Sequence, residues 1–158
     1  MKTLSLLARL CAVLAGVILT AITLVTCISL IGRNTIGVTL VGDHELTAAA
    51  AGAAVALFLP WCQLKRENII VDFFTSRASA KTNVMLDRFG ALLLGAVMVL
   101  LAWRTAVGGI SAFRSKSTTM MLGFPEWLVY TAMVPPMVLT AVIALVQTGF
   151  GDFPEKGQ

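Results

Sequence analysis

Four long stretches without a charged side chain fill most of this 158-residue chain. They run from Leu10 to Gly32, Leu46 to Leu64, Phe89 to Trp103 and Trp127 to Gly151. Twenty helical residues reach about 30 Å, the thickness of a bilayer's hydrocarbon core. The chain is therefore expected to be an all-α integral membrane protein with four transmembrane helices. One membrane domain over residues 1–158 is expected, with helices at approximately 6–31, 45–64, 85–110 and 127–148.

Almost nothing remains for a soluble domain. The chain is 58% hydrophobic and 13% charged, where a soluble domain is about one quarter charged. Function is thereby confined to what a small helical assembly does inside a membrane: carry, anchor or brace a partner. The isoelectric point near 9.3 raises the question of nucleic acid. The positive residues do not gather in one patch, however, but in particular loops, which is a topology signal.

Orientation follows from those loops. Lys2, Arg9, Lys65, Arg66, Arg77, Lys81, Arg88 and Lys156 fall on one side; Arg33, Arg104, Arg114 and Lys116 fall on the other. The richer side is cytoplasmic by the positive-inside rule, so both termini are expected inside. Asp43 and Glu45 then lie on the outer side. Trp61 closes the second helix at the inner interface, and Trp103 and Trp127 lie toward the outer one.

Three local features refine this. Lys2 and Arg9 before an apolar run resemble a signal peptide, but the uncharged run is longer than the roughly 7 to 15 residues of such a segment. An uncleaved first helix is expected. The stretch between Arg88 and Arg104 is too short to cross, so the third helix must continue toward Ile110. Arg104 is then expected near the far interface, snorkelling to the headgroups. Between Lys65 and Arg88, Ile69, Ile70, Phe73 and Phe74 sit at helical spacing among Arg66, Asn68, Asp72 and Arg77. Either a short amphipathic interfacial helix or an extension of the second helix fits that pattern.

The spans carry small residues four apart: Ala12, Gly16 and Thr20; Ala48, Gly52 and Ala56; Ala91 and Gly95; Ala132, Pro136, Thr140, Ala144 and Thr148. Such rows let helices approach closely, within this chain or against another. Pro135–Pro136 is expected to bend the last helix. Gly108–Gly109 reads as a loop or helix-end pair. Cys11, Cys27 and Cys62 lie inside spans without CxxC spacing, as small membrane-buried hydrophobes.

The missing residues constrain function further. Away from the helix ends, no Asp, Glu, Lys or His falls inside an expected span, and the one basic residue there is Arg104. Ion and proton relays need such groups at depth. A haem-carrying anchor needs histidines within its spans, whereas His44 lies in a loop. No nucleophile with a nearby base and no glycine-rich phosphate loop stands out. No catalytic residue, cofactor or metal site is expected.

Two stretches carry a resemblance. One is Leu59-Pro60-Trp61 through Lys65-Arg66-Glu67-Asn68-Ile69-Ile70-Val71-Asp72. The other is Leu122-Gly123-Phe124-Pro125-Glu126-Trp127-Leu128-Val129-Tyr130, followed by Pro135. With four spans and inside termini, the chain resembles the small membrane subunit of TRAP (tripartite ATP-independent periplasmic) transporters. A basic loop followed by Ile-x-Val-Asp is matched by Ile69 to Asp72, and a Pro-x-Trp-x-x-Tyr pattern by Pro125, Trp127 and Tyr130. Asn68 stands where that family often has histidine.

The resemblance implies a three-part system in a bacterial or archaeal cytoplasmic membrane. A periplasmic binding protein captures an organic acid, such as a dicarboxylate, sugar acid or keto acid. A large membrane subunit moves it inward with sodium, and sodium coupling belongs to that subunit. The small subunit braces the large one and offers part of the binding protein's docking surface. Trp61, Arg66 and Asp72 are the expected anchors at the inner interface; Arg104, Trp127 and Tyr130 are those at the outer one. Each is expected to hold lipid or a neighbouring helix rather than touch a partner directly. The alternatives are the membrane-anchor subunit of another complex, such as a quinone-linked enzyme, a free-standing tetraspan protein, and a self-assembling small exporter.

Overall fold

A helix satisfies its own backbone polar groups, which makes it one of the two structures able to cross lipid. The computed structural model describes residues 2–35, 37, 41–65 and 80–150. Four helices account for nearly all of them: α1 (Lys2–Thr35), α2 (Asp43–Lys65), α3 (Ala80–Ser115) and α4 (Trp127–Phe150). All four are long and apolar enough to cross a membrane. Each extends beyond the length expected from the sequence except at the start of α4. The expected interfacial helix falls within residues 66–79, outside the described residues.

The helix ends have local causes. Gly42 precedes α2 at φ +82°, a left-handed conformation that suits glycine. Leu46 N–H then donates to its carbonyl at 3.1 Å. Asp43 and Glu45 place negative charge in the first turn of α2, where the helix dipole favours it. At the end of α3, Lys116 takes φ +51°. Ser117 N–H reaches Ala112 O at 3.1 Å and Lys116 N–H reaches Phe113 O at 3.4 Å. That is a Schellman cap with lysine in the position glycine usually holds.

Antiparallel α1 and α2 pack together, as do α3 and α4, and parallel α2 and α4 join the two pairs. The helices thus stand in an open row, α1–α2–α4–α3. Each seam is built from small side chains, because close packing is what holds helices together in lipid. On α1 the buried residues are Ala8, Ala15, Ile22 and Ser29, spaced by sevens. This differs from the expected Ala12–Gly16–Thr20 stripe, whose last member is exposed. A seven-residue repeat keeps one seam facing one neighbour along a long pair of helices. On α2 the seam is Ala54, Ala56, Pro60 and Gln63, with Ala48 exposed. On α4 the expected stripe is largely the buried one: Pro136, Thr140 and Ala144, joined by Ala141, Ile143 and Gln147. The helix runs unbroken through Pro135–Pro136.

Candidate functional site

Polar side chains are costly in lipid and mark the places where this fold is specified. Among the described residues, four polar side chains are fully buried: Ser29, Gln63, Thr140 and Gln147. All four have partners. Ser29 donates to Asp43 Oδ2 at 2.7 Å, tying α1 to the start of α2. Thr140 donates to Pro136 O at 2.8 Å within its own helix. Gln63 Nε2 donates to Gln147 Oε1 at 2.8 Å. Gln147 Nε2 returns a bond to the backbone carbonyl of Gln63 at 3.0 Å. That carbonyl lies in the last described turn of α2, where helix carbonyls commonly take partners from outside their own helix. Gln147 thereby caps one helix from the side of another.

At the opposite end of the row, α2 meets the α3–α4 connection. Residues 117–126 form a tight hairpin, with Thr119 N–H to Phe124 O at 2.9 Å and Glu126 N–H to Ser117 O at 3.2 Å. The Glu45 carboxylate accepts from Met121 N–H at 3.1 Å and from Leu122 N–H at 3.2 Å. Leu122 lies over Gly42, where an added Cβ would stand 2.5 Å from Leu122 Cγ. The two helical hairpins are thus pinned together at this end. The pinned loop presents Met120, fully exposed, with Met121 and Phe124 beside it.

The structure separates the six candidate anchors. Trp61 is half-buried near the end of α2, with Lys65 Nζ 5.4 Å from its ring centroid. Arg66 and Asp72 lie outside the described residues. Trp127 meets Phe113 edge-to-face, centroids 5.6 Å apart, across the α3–α4 seam. Tyr130 lies on Gly108 and Gly109, whose missing side chains make room for its ring and Cβ. The glycine pair expected at a loop or helix end is therefore interior to α3 and packs that seam. Tyr130 and Trp127 are brought together, and both belong to the contact between α3 and α4.

Arg104 stands apart from them. Gly95 faces Ala144 and Leu145, and Gly109 faces Tyr130. Between these, the Thr105 hydroxyl lies 3.8 Å from Met137 Sδ. This register sets Arg104 close to the level of Met137, about midway along α4. It is exposed and has no ion pair or hydrogen bond among the described residues. Arg114, beside the Trp127 end, is about 15 Å away along α3 at 1.5 Å per residue. Arg104 is therefore level with the middle of α4 and not with its Trp127 end.

Among the described residues, no three His, Cys, Asp or Glu side chains gather around a point that could hold a metal ion. The family model described as Tripartite ATP-independent periplasmic transporters, DctQ component, matches residues 22–149. The chain belongs to the DctQ family. The matched segment contains every seam described above apart from the first part of α1, Lys2 to Ala21, which carries Ala8 and Ala15. DctQ proteins are the small membrane component of TRAP transporters, so this chain is a small permease subunit of a transport system. Comparison with curated proteins and with solved structures gives no match.

The sequence did not single out Gln63, Gln147 or Glu45. The two glutamines are 84 residues apart, and only their position near the ends of otherwise apolar runs could have flagged them. Glu45 reads as an ordinary first-turn acid until the loop around Met121 is placed beside it.

Proposed function

We propose that this DctQ protein is a non-catalytic brace for the large membrane subunit of a sodium-coupled, binding-protein-dependent organic-acid symporter. It sits in the cytoplasmic membrane with both termini inside, and sodium and solute are held by the partner. The observation that carries this is the open row of helices. Its seams consist of small residues and mutually paired polar groups. Large apolar side chains such as Leu14, Val17, Leu24, Leu100 and Val107 face outward. A chain built this way offers little to coordinate a solute and much surface to pack against another membrane protein. A carrier that slides one domain past another gains from a fixed part with a wide, well-anchored footprint in the bilayer.

The pinned end of the row, with Met120, Met121 and Phe124 exposed, then faces the periplasm and contributes to docking of the binding protein. Trp61, Arg66 and Asp72 hold the inner interface. Co-expression with the large subunit tests the proposal. The two chains should copurify, and sodium-driven uptake into proteoliposomes should require both together with the binding protein. Uptake by this chain alone, or full uptake in its absence, would remove the bracing role.

A further inference from the structure

An arginine in the middle of a membrane span is costly when it faces lipid, even on the mildest insertion scale. Arg104 is such a residue. The hydrocarbon core is about 30 Å thick, so its centre is about 15 Å from either edge. Arg104 lies about 16 Å from the end of the apolar span Arg88–Ser115 at 1.5 Å per residue, level with Met137 in the middle of α4.

The surroundings of Arg104 show which kind of surface it belongs to. Helix α3 ends the row and packs on α4. Its open side carries Val97, Leu100, Arg104, Val107 and Ser111, all exposed and spaced alternately by three and four. That spacing makes one stripe along a helix and suits packing against another helix. Trp103, 67% exposed, stands next to it.

A second copy of this chain does not answer the charge. No Asp or Glu lies between Glu45 and Lys65 on α2, between Arg88 and Ser115 on α3, or anywhere on α1 or α4. Copies related by symmetry about this stripe would also oppose arginine to arginine. The answering group must come from a different polypeptide within the membrane. We propose that Arg104 is the docking charge of this stripe, paired in the assembled transporter with a carboxylate on a membrane helix of the large subunit. This rests on the assignment of the chain as the brace of that subunit.

The test uses the co-expressed complex. Copurification of the wild-type chain with the large subunit establishes the brace; its failure removes the brace and this pairing together. Given a complex, Trp103→p-benzoylphenylalanine should photocrosslink to the large subunit. Arg104→Leu should lower copurification about tenfold or more, the usual consequence of stranding one member of a desolvated charge pair. Arg104→Lys, which keeps the charge, should recover most of it. Circular dichroism of the isolated variants checks that α3 remains helical. Crosslinks to lipid alone, or an Arg104→Leu chain that copurifies like wild type, would overturn the pairing while leaving the brace intact.

Discussion

Gln63 and Gln147, in parallel neighbouring helices, join α2 to α4 by two hydrogen bonds of 2.8 and 3.0 Å. One bond links the side chains and the other reaches the backbone of α2. The pair is one of two polar contacts described between the halves of the row, the other being Glu45 on the α3–α4 loop. The two changes it invites are not equivalent. Gln147→Leu removes both bonds between the helices, whereas Gln63→Leu leaves the bond from Gln147 to the Gln63 carbonyl in place. Thermal unfolding in detergent should show Gln147→Leu as the more destabilising, by roughly 1–2 kcal/mol relative to wild type. Equal losses for the two variants would show that the backbone bond contributes nothing.

Glu45 holds the 119–124 turn through the amides of Met121 and Leu122. Glu45→Ala leaves those amides to water. Hydrogen exchange at Met121 and Leu122 should speed up about tenfold, as expected for the loss of charge-assisted bonds at a partly exposed site. Exchange deep within α4 should not change. Protection that persists in Glu45→Ala would mean that the hairpin is held by its own hydrogen bonds.

Gly109 and Gly16 make a matched comparison. An added Cβ at Gly109 would lie 2.9 Å from Tyr130 Cβ, while one at Gly16 meets nothing within 4 Å. Gly109→Ala should destabilise the α3–α4 seam by about 1–3 kcal/mol through overpacking. Gly16→Ala should be neutral or stabilising by about 0.5–1 kcal/mol, from helix propensity alone. Melting temperatures of the two variants in one detergent decide the matter, and a Gly109→Ala chain as stable as wild type would contradict the seam.

Orientation is open to direct labelling. In a background with Cys11, Cys27 and Cys62 replaced by alanine, Thr118→Cys puts one thiol on the exposed hairpin between α3 and α4. A membrane-impermeant maleimide should label it in intact cells with a permeabilised outer barrier. Labelling only in inverted vesicles would reverse the proposed topology.

The four helices were legible because charge is excluded from lipid. An uncharged run of about twenty residues is what a bilayer demands of a helix, and a water-facing helix would carry charge along one side. Their order in the row was not legible. Ala12, Gly16 and Thr20 look as suitable for a seam as Ala8 and Ala15, since small residues are abundant on every face of α1. The level of Arg104 against α4 was hidden for a related reason. Counting from Arg88 locates it along α3, but its level depends on how far α3 is shifted against α4. That shift is set by Tyr130 lying on Gly108–Gly109. The pairing of Gln63 with Gln147 likewise depends on the neighbourhood of α2 and α4, which no local pattern announces. Trp127 and Tyr130 were recognisable as important aromatics, although their contacts are with α3.

A single-file arrangement has a mechanical consequence. Four helices at 8–10 Å spacing form a plank about 35 Å wide and one helix thick. Fastened along its α3 edge, such a plank projects sideways like a fin and must push lipid aside whenever its host turns about the membrane normal. The added drag would oppose rotation far more than a compact cluster of the same mass, giving a moving neighbour a stationary frame to work against.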